Sequence, residues 1–299
     1  MVLLSICIPT YNRKNFLKDT IESIISQPEF LNSNDVNIVI SDNSSTDGTK
    51  ELVEDYCGIY GNKILYSRND TNIGFANFDK VLSIANGEFL KLNNDTLLLK
   101  PGSLAKILYY VKNNLNNKNI LFFRNSKSRK SADTCLFDSI NDFVRDISYY
   151  STWIGSFGIW KNDYHNVSNI FKEKNYSEIP HTYVLLSFLE NHRNILCVNE
   201  ELFDSICPPK KGGNYNVAQV FGYNYLTFLN EFKSKALLSN RVYKDEKRVL
   251  LKFINDYYFD IDGKFNFQKS GYFRYLLKFY WFNFYFYRYY FKMRICSNV

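Results

Sequence analysis

Four apolar runs limit what this chain can fold into. Leu3 to Pro9, Val36 to Ile40, Ile64 to Ser67 and Glu88 to Asp95 are each of strand length, and each ends on polar or turn-forming residues. Between them, apolar residues recur at helical spacing: Leu17, Ile21, Ile24 and Ile25, then Leu52, Val53 and Tyr56, then Phe78, Val81, Leu82 and Ala85. Strand and helix alternating through short loops predict parallel βαβ units with right-handed crossovers, and a ligand groove outside the C-terminal ends of the strands. Asp95 closes the fourth run, E-F-L-K-L-N-N-D, and so stands at that edge. Taken alone, Asn-Asn-Asp would make only a turn, because these side chains bond nearby backbone.

The alternation continues less regularly. Pro101-Gly102 opens a helix carrying Leu104, Ile107, Leu108 and Val111 on one face. Ile120 to Phe123 and Ile195 to Val198 read as strands, and Phe143 to Tyr150 as a helix. Ser151 to Trp160, rich in aromatics and glycine, reads as a loop lining a pocket. At Cys207 the texture changes to P-P-K-K-G-G-N, a basic stretch of helix breakers that places a boundary near residue 206. Beyond it Val220 to Phe232 and Val249 to Phe259 read as helices, with too few aliphatic residues for an independent domain.

Composition narrows the function classes. A net charge of +7 suits nucleotide phosphates, anionic lipid or nucleic acid alike. No RNP-like pattern accompanies it, so nucleic acid is not an expected partner. Six cysteines scattered without a C-x-x-C argue against a zinc site and against a disulfide framework. The opening run lacks a basic n-region and a cleavage site, which reads as no signal peptide and a cytoplasmic protein.

The motifs S-I-C-I-P-T-Y-N-R, I-S-D-N-S-S-T-D-G-T, N-I-G-F with A-N-G-E-F-L, the strand closing on Asp95 and the later P-G-S-L occur in one order over about the first 110 residues. Together they resemble the family 2 glycosyltransferases of the GT-A fold. The resemblance implies an α/β domain over residues 1–206, a Rossmann-like mixed sheet flanked by helices. Its nucleotide-sugar half would cover about 1–110 and its acceptor half about 111–206, with a helical, aromatic-rich extension over 207–299. The implied activity is inverting transfer of a sugar from a nucleotide-diphosphate donor, UDP-sugars favoured, to a saccharide or lipid-linked saccharide in surface polysaccharide synthesis. The competing reading is a nucleotide-binding protein that keeps the fold without turnover.

By the same resemblance Asp95 is the ligand of Mg²⁺ or Mn²⁺, with Asn93 and Asn94 standing where the family more often has carboxylates. One carboxylate can suffice, because Mg²⁺ completes its shell with phosphate and water. Asp42 is implied as acceptor of a uracil N3–H. Pro9, Thr10, Tyr11 and Arg13 would flank base and ribose, and Asn72, Gly74 and Asn77 would complete the pocket. Each has a plainer reading: Arg13 as a solvated charge, Gly74 as a positive-φ turn, Asp47 or Thr46 as a helix N-cap. Glu178 or His181 is the expected general base, with helix capping as the alternative for His181. Lys210-Lys211-Gly212-Gly213 reads as a flap bringing Lys211 over the diphosphate, or as a solvated linker.

Between Lys278 and Arg288 lies F-Y-W-F-N-F-Y-F-Y. It is far short of the ~20 apolar residues a spanning helix needs. Aromatics flanked by cations suit a bilayer headgroup region. Packing onto the catalytic domain is the alternative.

Overall fold

The computed structural model describes residues 2–126, 133–206, 215–258, 268 and 270–296. Strands β1 (Leu4–Thr10), β2 (Val36–Asp42), β3 (Ile64–Arg68) and β4 (Phe89–Leu92) form the parallel half of one sheet. The side chains of β1, β2 and β4 are buried on both faces, Pro9 only partly, because helices cover the sheet, whereas on the edge strand β3 only Ile64 is fully buried. Those helices are α1 (Lys14–Ile25), α2 (Pro28–Asn32), α3 (Thr49–Tyr60) and α4 (Asn77–Ile84). On α1, Leu17, Ile21, Ile24 and Ile25 form the buried face that the spacing predicted, joined by Thr20.

The sheet order is β3-β2-β1-β4-β8-β6-β9-β7, where β6 is Ile120–Phe123, β7 Thr134–Phe137, β8 Phe157–Trp160 and β9 Ile195–Val198. Strand β8 runs antiparallel to β4 and to β6, making the sheet mixed. This corrects the reading of Ser151 to Trp160 as one loop. Only its first part is a loop, formed by two 3₁₀ turns at Ser148–Thr152 and Ile154–Ser156. Phe157 to Trp160 is wholly buried but only four residues long with Gly158 inside it, so it makes no continuous apolar run of the kind that marked the parallel strands. A small second sheet pairs β5 (Leu97–Leu99) with β10 (Phe203–Ser205).

Because β8 is reversed, the segment before it reaches the same edge as the C-terminal ends of β1, β2 and β4. Around this sheet lie α5 (Ser103–Asn113), α6 (Ile140–Ile147), α7 (Lys161–Lys174) and α8 (Pro180–Glu190). Among the described residues no helix is long and apolar enough to cross a membrane.

Beyond residue 206 a π-helical turn, Ala218–Asn224, runs into α9 (Tyr225–Ser234), followed by α10 (Asn240–Tyr258), α11 (Tyr272–Tyr280) and α12 (Phe284–Cys296). The hydrophobic core is continuous across residue 206: Tyr183 of α8 packs its ring on Phe228 and Phe232. A Cβ on Gly222 would fall 2.1 Å from Leu276 Cδ2, so this glycine is what lets α11 dock on the π-helical turn. The aromatic tail is therefore divided by face. Tyr272, Leu276, Tyr280 and Phe286 are buried, whereas Trp281, Phe282, Phe284, Tyr285 and Phe291 are exposed, Phe282 to 97%.

Candidate active site

Parallel pairing places Thr10 of β1 directly beside Asp42 of β2, and Cys7 beside Leu92, so that Asn93 to Asp95 emerge next to Thr10. Thr10 Oγ1 donates to Asp95 Oδ2 at 2.9 Å and Arg13 Nη1 donates to Oδ1 at 2.9 Å. Thr20 Oγ1 donates to the Asp95 carbonyl at 3.0 Å, tying α1 to the same turn. Asp95 is 3% exposed. Burial pushes its carboxyl pKa up, while the Arg13 guanidinium and the Thr10 hydroxyl pull it back toward the charged form.

The first two motifs prove to be bonded to one another. Asn12 N donates to Ser45 Oγ, Thr46 N to Asn12 Oδ1, and Lys14 N to Asp47 Oδ2, each within 2.9 Å. Asp47 is not the helix N-cap: Gly48 occupies that position, and Asp47 instead accepts from Thr49 N and Thr49 Oγ1. Asp42 is fully buried, with Oδ1 accepting from Ser45 N (2.9 Å) and Oδ2 from the Tyr66 hydroxyl (2.8 Å), and with Arg68 Nε at 3.6 Å. Both oxygens thus already brace the strand ends.

Asn77 and Asn72 join a carboxamide network centred on Asn43. Asn43 Nδ2 donates to Asn72 Oδ1 (2.6 Å) and to the Gly74 carbonyl (3.2 Å), and its Oδ1 accepts from Ile73 N (2.8 Å). Asn77 Oδ1 accepts from Ser41 Oγ and from Asn69 Nδ2. Gly74 has φ +58° with nothing near its absent Cβ, so it serves the turn. Pro9 is half-buried, and Tyr11 is 44% exposed with its ring free at the rim. Asn43, Asn69, Tyr66 and Arg68 were not singled out from the sequence, because nothing local marks them.

Behind Asn93 lies a second residue that the sequence did not flag. Lys91 is completely buried, and its Nζ donates to the Leu92 and Gly155 carbonyls (3.0 Å each) and to Asn93 Oδ1 (3.3 Å). The ammonium also sits 4.3 Å from the Phe203 ring centroid. Burial pushes its pKa down to about 7. Asn93, held from below, donates through Nδ2 to the Asn94 and Leu97 carbonyls. Lys91 thereby clamps the end of β4 to the turn before β8.

Among the described residues no three His, Cys, Asp or Glu side chains converge as a metal centre. The donor set beside Asp95 is nonetheless of the right kind for a hard cation. Asn94 Oδ1 is buried without a hydrogen-bond partner, so the turn carries an unsatisfied carboxamide oxygen next in sequence to the Asp95 carboxylate.

Residues 175–182 hold the two side chains expected as general base. A 3₁₀ turn, Asn175–Ser177, packs against Gly74–Ala76, and Glu178 follows with φ +67°. A non-glycine residue held there is uncommon, and such strain clusters at functional sites. Glu178 Oε2 is buried with no partner, and burial pushes the carboxyl pKa up to about 7. His181 is enclosed instead. It is 1% exposed between Phe78 and Phe157, its Nε2 lies 2.9 Å from the Thr152 carbonyl, and burial pushes its pKa down to about 4. The Nε2–H tautomer then leaves Nδ1 as a buried, unpartnered lone pair. Lys211 lies outside the described residues.

A mixed sheet of this order, helix-covered, with a carboxylate at the end of β4 facing the turns after β1 and β2, defines the GT-A class of glycosyltransferase folds. Residues 5–131 match the family model of glycosyl transferase family 2. Abequosyltransferase RfbV of Salmonella typhimurium is 40% identical over 111 residues, 37% of this chain and 33% of that protein. Putative glycosyltransferase EpsE of Bacillus subtilis is 30% identical over 104 residues, covering 34% and 36%. The matched segment thus spans about a third of the length of these curated relatives.

Among solved structures, S. aureus TarS 1-349 in complex with UDP-GlcNAc aligns with a TM-score of 0.56 at 14% identity, covering 88% of this chain and 74% of that one. Mannosyltransferase PcManGT from Pyrobaculum calidifontis, in complex with GDP-Man and Mn²⁺, aligns at 0.52 and 12%, covering 86% and 70%. At these identities the likeness is one of fold.

Proposed function

We propose that this chain transfers a sugar, with inversion, from a nucleotide-diphosphate donor to a saccharide or lipid-linked saccharide in surface polysaccharide synthesis. The observation that carries the reading is the convergence of Thr10, Arg13 and Asp95 at one sheet edge, inside the segment that matches the family. UDP-sugars are favoured as donors, in line with the neighbour bound to UDP-GlcNAc. The nucleoside would lie along Tyr11 and the Asn43-Asn72-Gly74 turn, with Asp42 bracing the floor beneath the base.

Asp95 and Asn94 Oδ1 would hold Mg²⁺ or Mn²⁺, which when bound neutralises charge on the departing diphosphate. Arg13, partly exposed beside Asp95, supplies a fixed cation at the same place and can bridge to phosphate oxygens. Glu178 is the general base of this reading: its pKa near neutrality matches the task, and its free Oε2 has a lone pair to receive the acceptor proton. In inverting displacement the acceptor oxygen gives that proton to Glu178 as it bonds to the anomeric carbon and the diphosphate leaves. His181, neutral and enclosed, orients the Ser148–Thr152 turn.

The exposed rings of Trp281, Phe282, Phe284 and Tyr285, with Arg288 exposed on the same helix as the last two, are proposed to rest on an anionic membrane surface where a lipid-linked acceptor would be presented. The deciding experiment is a screen of nucleotide sugars with Mn²⁺ for sugar transfer or slow hydrolysis, run on native protein and Asp95→Asn. Donor-dependent thermal shifts with no sugar released from any donor would favour a nucleotide-binding protein without turnover.

A further inference from the structure

The scattered cysteines do not stay scattered in the fold. Cys135 of β7 and Cys197 of β9 are directly paired across an antiparallel ladder, with Thr134 opposite Val198 and Leu136 opposite Leu196. Residues directly opposed in such a ladder have Cα atoms about 4.5–5.5 Å apart. That separation lies inside the window that a disulfide bridges without backbone movement. The two thiols are within hydrogen-bond reach of each other. Asn199 binds both, accepting from Cys197 Sγ at 3.4 Å and donating through Nδ2 to Cys135 Sγ at 3.8 Å.

We propose that Cys135 and Cys197 form a peroxide-reactive dithiol, a modification site on the sheet edge remote in role from sugar transfer, with Cys135 the attacking and Cys197 the resolving thiol. Three observations assign the roles. Cys135 is partly exposed on the outermost strand of the sheet, whereas Cys197 is fully buried one strand further in. Interaction with the Cys197 thiol draws the Cys135 pKa down to about 7, opposed by burial and assisted by Asn199, while the same interaction and burial push the Cys197 pKa up. The charged groups facing Cys135 are Arg124 and Asp146, which are paired with each other at 2.9 Å and offset one another. Cys135 is therefore the sulfur that carries negative charge near neutral pH, and the thiolate is the nucleophile.

The chemistry balances with a hydroperoxide as oxidant. The Cys135 thiolate attacks one peroxide oxygen, the O–O bond breaks, and the departing hydroxide takes a proton to leave as water; Cys135 is then the sulfenic acid. Cys197 sulfur next attacks Cys135 sulfur, an S–S bond forms, the S–O bond breaks, and the hydroxide leaves with the Cys197 proton as a second water. Two thiols and one hydrogen peroxide give one disulfide and two waters. A dithiol reductant reverses it by exchange.

The test needs no assay of transfer. Full-length protein is treated with stoichiometric hydrogen peroxide and followed by intact mass and by peptide mapping without reduction. The expected result is loss of two hydrogens, a Cys135–Cys197 cross-linked peptide, and recovery with dithiothreitol. Cys197→Ser should stop at a sulfenic acid on Cys135 that dimedone traps, and Cys135→Ser should give neither product. Should either variant fold poorly, native protein alone decides through the pH dependence of iodoacetamide alkylation. Cys135 should react with a midpoint near 7, well below that of Cys57, whose thiol is pushed up by burial and by Glu54. Oxidation falling first on Cys57, an uncross-linked pair after full oxidation, or equal alkylation midpoints would overturn the proposal.

Discussion

Arg13 and Asp95, 82 residues apart in the chain, meet through a 2.9 Å hydrogen-bonded ion pair at the edge of the sheet. The pair is asymmetric: Arg13 is partly exposed and Asp95 is buried, so the guanidinium can exchange partners while the carboxylate cannot leave. Asp95→Asn keeps the shape and removes the charge. Transfer should fall by about 10²–10³-fold, the size typical of losing one electrostatic contact to a transition state. Turnover within threefold of native would remove Asp95 from the mechanism.

Mn²⁺ should bind poorly by itself, because among the described residues no cluster of three ligating side chains supports Asp95, and Arg13 already holds it. Calorimetry should detect tight cation binding only after UDP has been added, and Arg13→Ala should strengthen binding of Mn²⁺ alone while weakening that of UDP. Equal Mn²⁺ affinity with and without nucleotide would contradict this account.

Activity and stability should respond to pH in opposite senses at Glu178. As the base it must be ionised, so kcat should rise with pH through about 7. For stability, a carboxyl at 4.5 unfolded and about 7 folded leaves the native state holding more protons between those values. Its contribution is complete below 4.5 and is lost as pH rises through about 7. Glu178→Gln should abolish the acid limb of the rate profile and flatten that part of the stability curve. Glu246→Gln, altering another buried carboxyl pushed up to about 7, should leave the rate profile in place. A rate profile unchanged in Glu178→Gln would exclude it as the base.

Glu178→Gly should relieve the left-handed backbone strain, worth ~1–2 kcal/mol, and raise Tm while eliminating transfer. A lowered Tm would mean that the side chain, not the backbone, dominates at this position.

Lys91→Met removes a buried ammonium and strands the Leu92 and Gly155 carbonyls. The unfolded ammonium titrates at 10.5 and the folded one near 7, so the unfolded state binds more protons between those values. Native stability attributable to Lys91 is present above 10.5 and is lost as pH falls toward 7. The stability advantage of native protein over the variant should therefore widen from pH 7 to 10, measured by urea unfolding. Parallel curves would show that Lys91 is already protonated in the fold.

Phe282→Ser with Phe284→Ser should abolish sedimentation with anionic liposomes while leaving Tm unchanged, since both side chains are exposed. Truncation near Lys269 is the poorer test, because it also removes Tyr272, Leu276 and Tyr280 from the core. Undiminished sedimentation of the double variant would assign any lipid contact to another surface.

The apolar runs by themselves determined the βαβ half of the fold, and Thr10, Asp42 and Asp95 meet at one edge of the sheet, where their positions at the ends of those runs put them. These readings succeed because strand period, helix period and turn chemistry are local properties, repeated within a few residues. Strand β8 escaped because it is four residues long and interrupted by Gly158, too short to stand out as an apolar run. Its pairing with β4 and β6, not its composition, makes it a strand. Asn43, Lys91 and Tyr66 escaped for a related reason, since each acts through partners that its neighbours in sequence do not announce.

Only the tertiary structure gives Glu178 and His181 different surroundings, Glu178 half-buried and His181 enclosed between Phe78 and Phe157, and only strand register brought Cys135 to Cys197. Burial and long-range pairing depend on how distant segments pack. The energy that shifts a pKa or places two thiols side by side comes from that packing, and no window of sequence contains it.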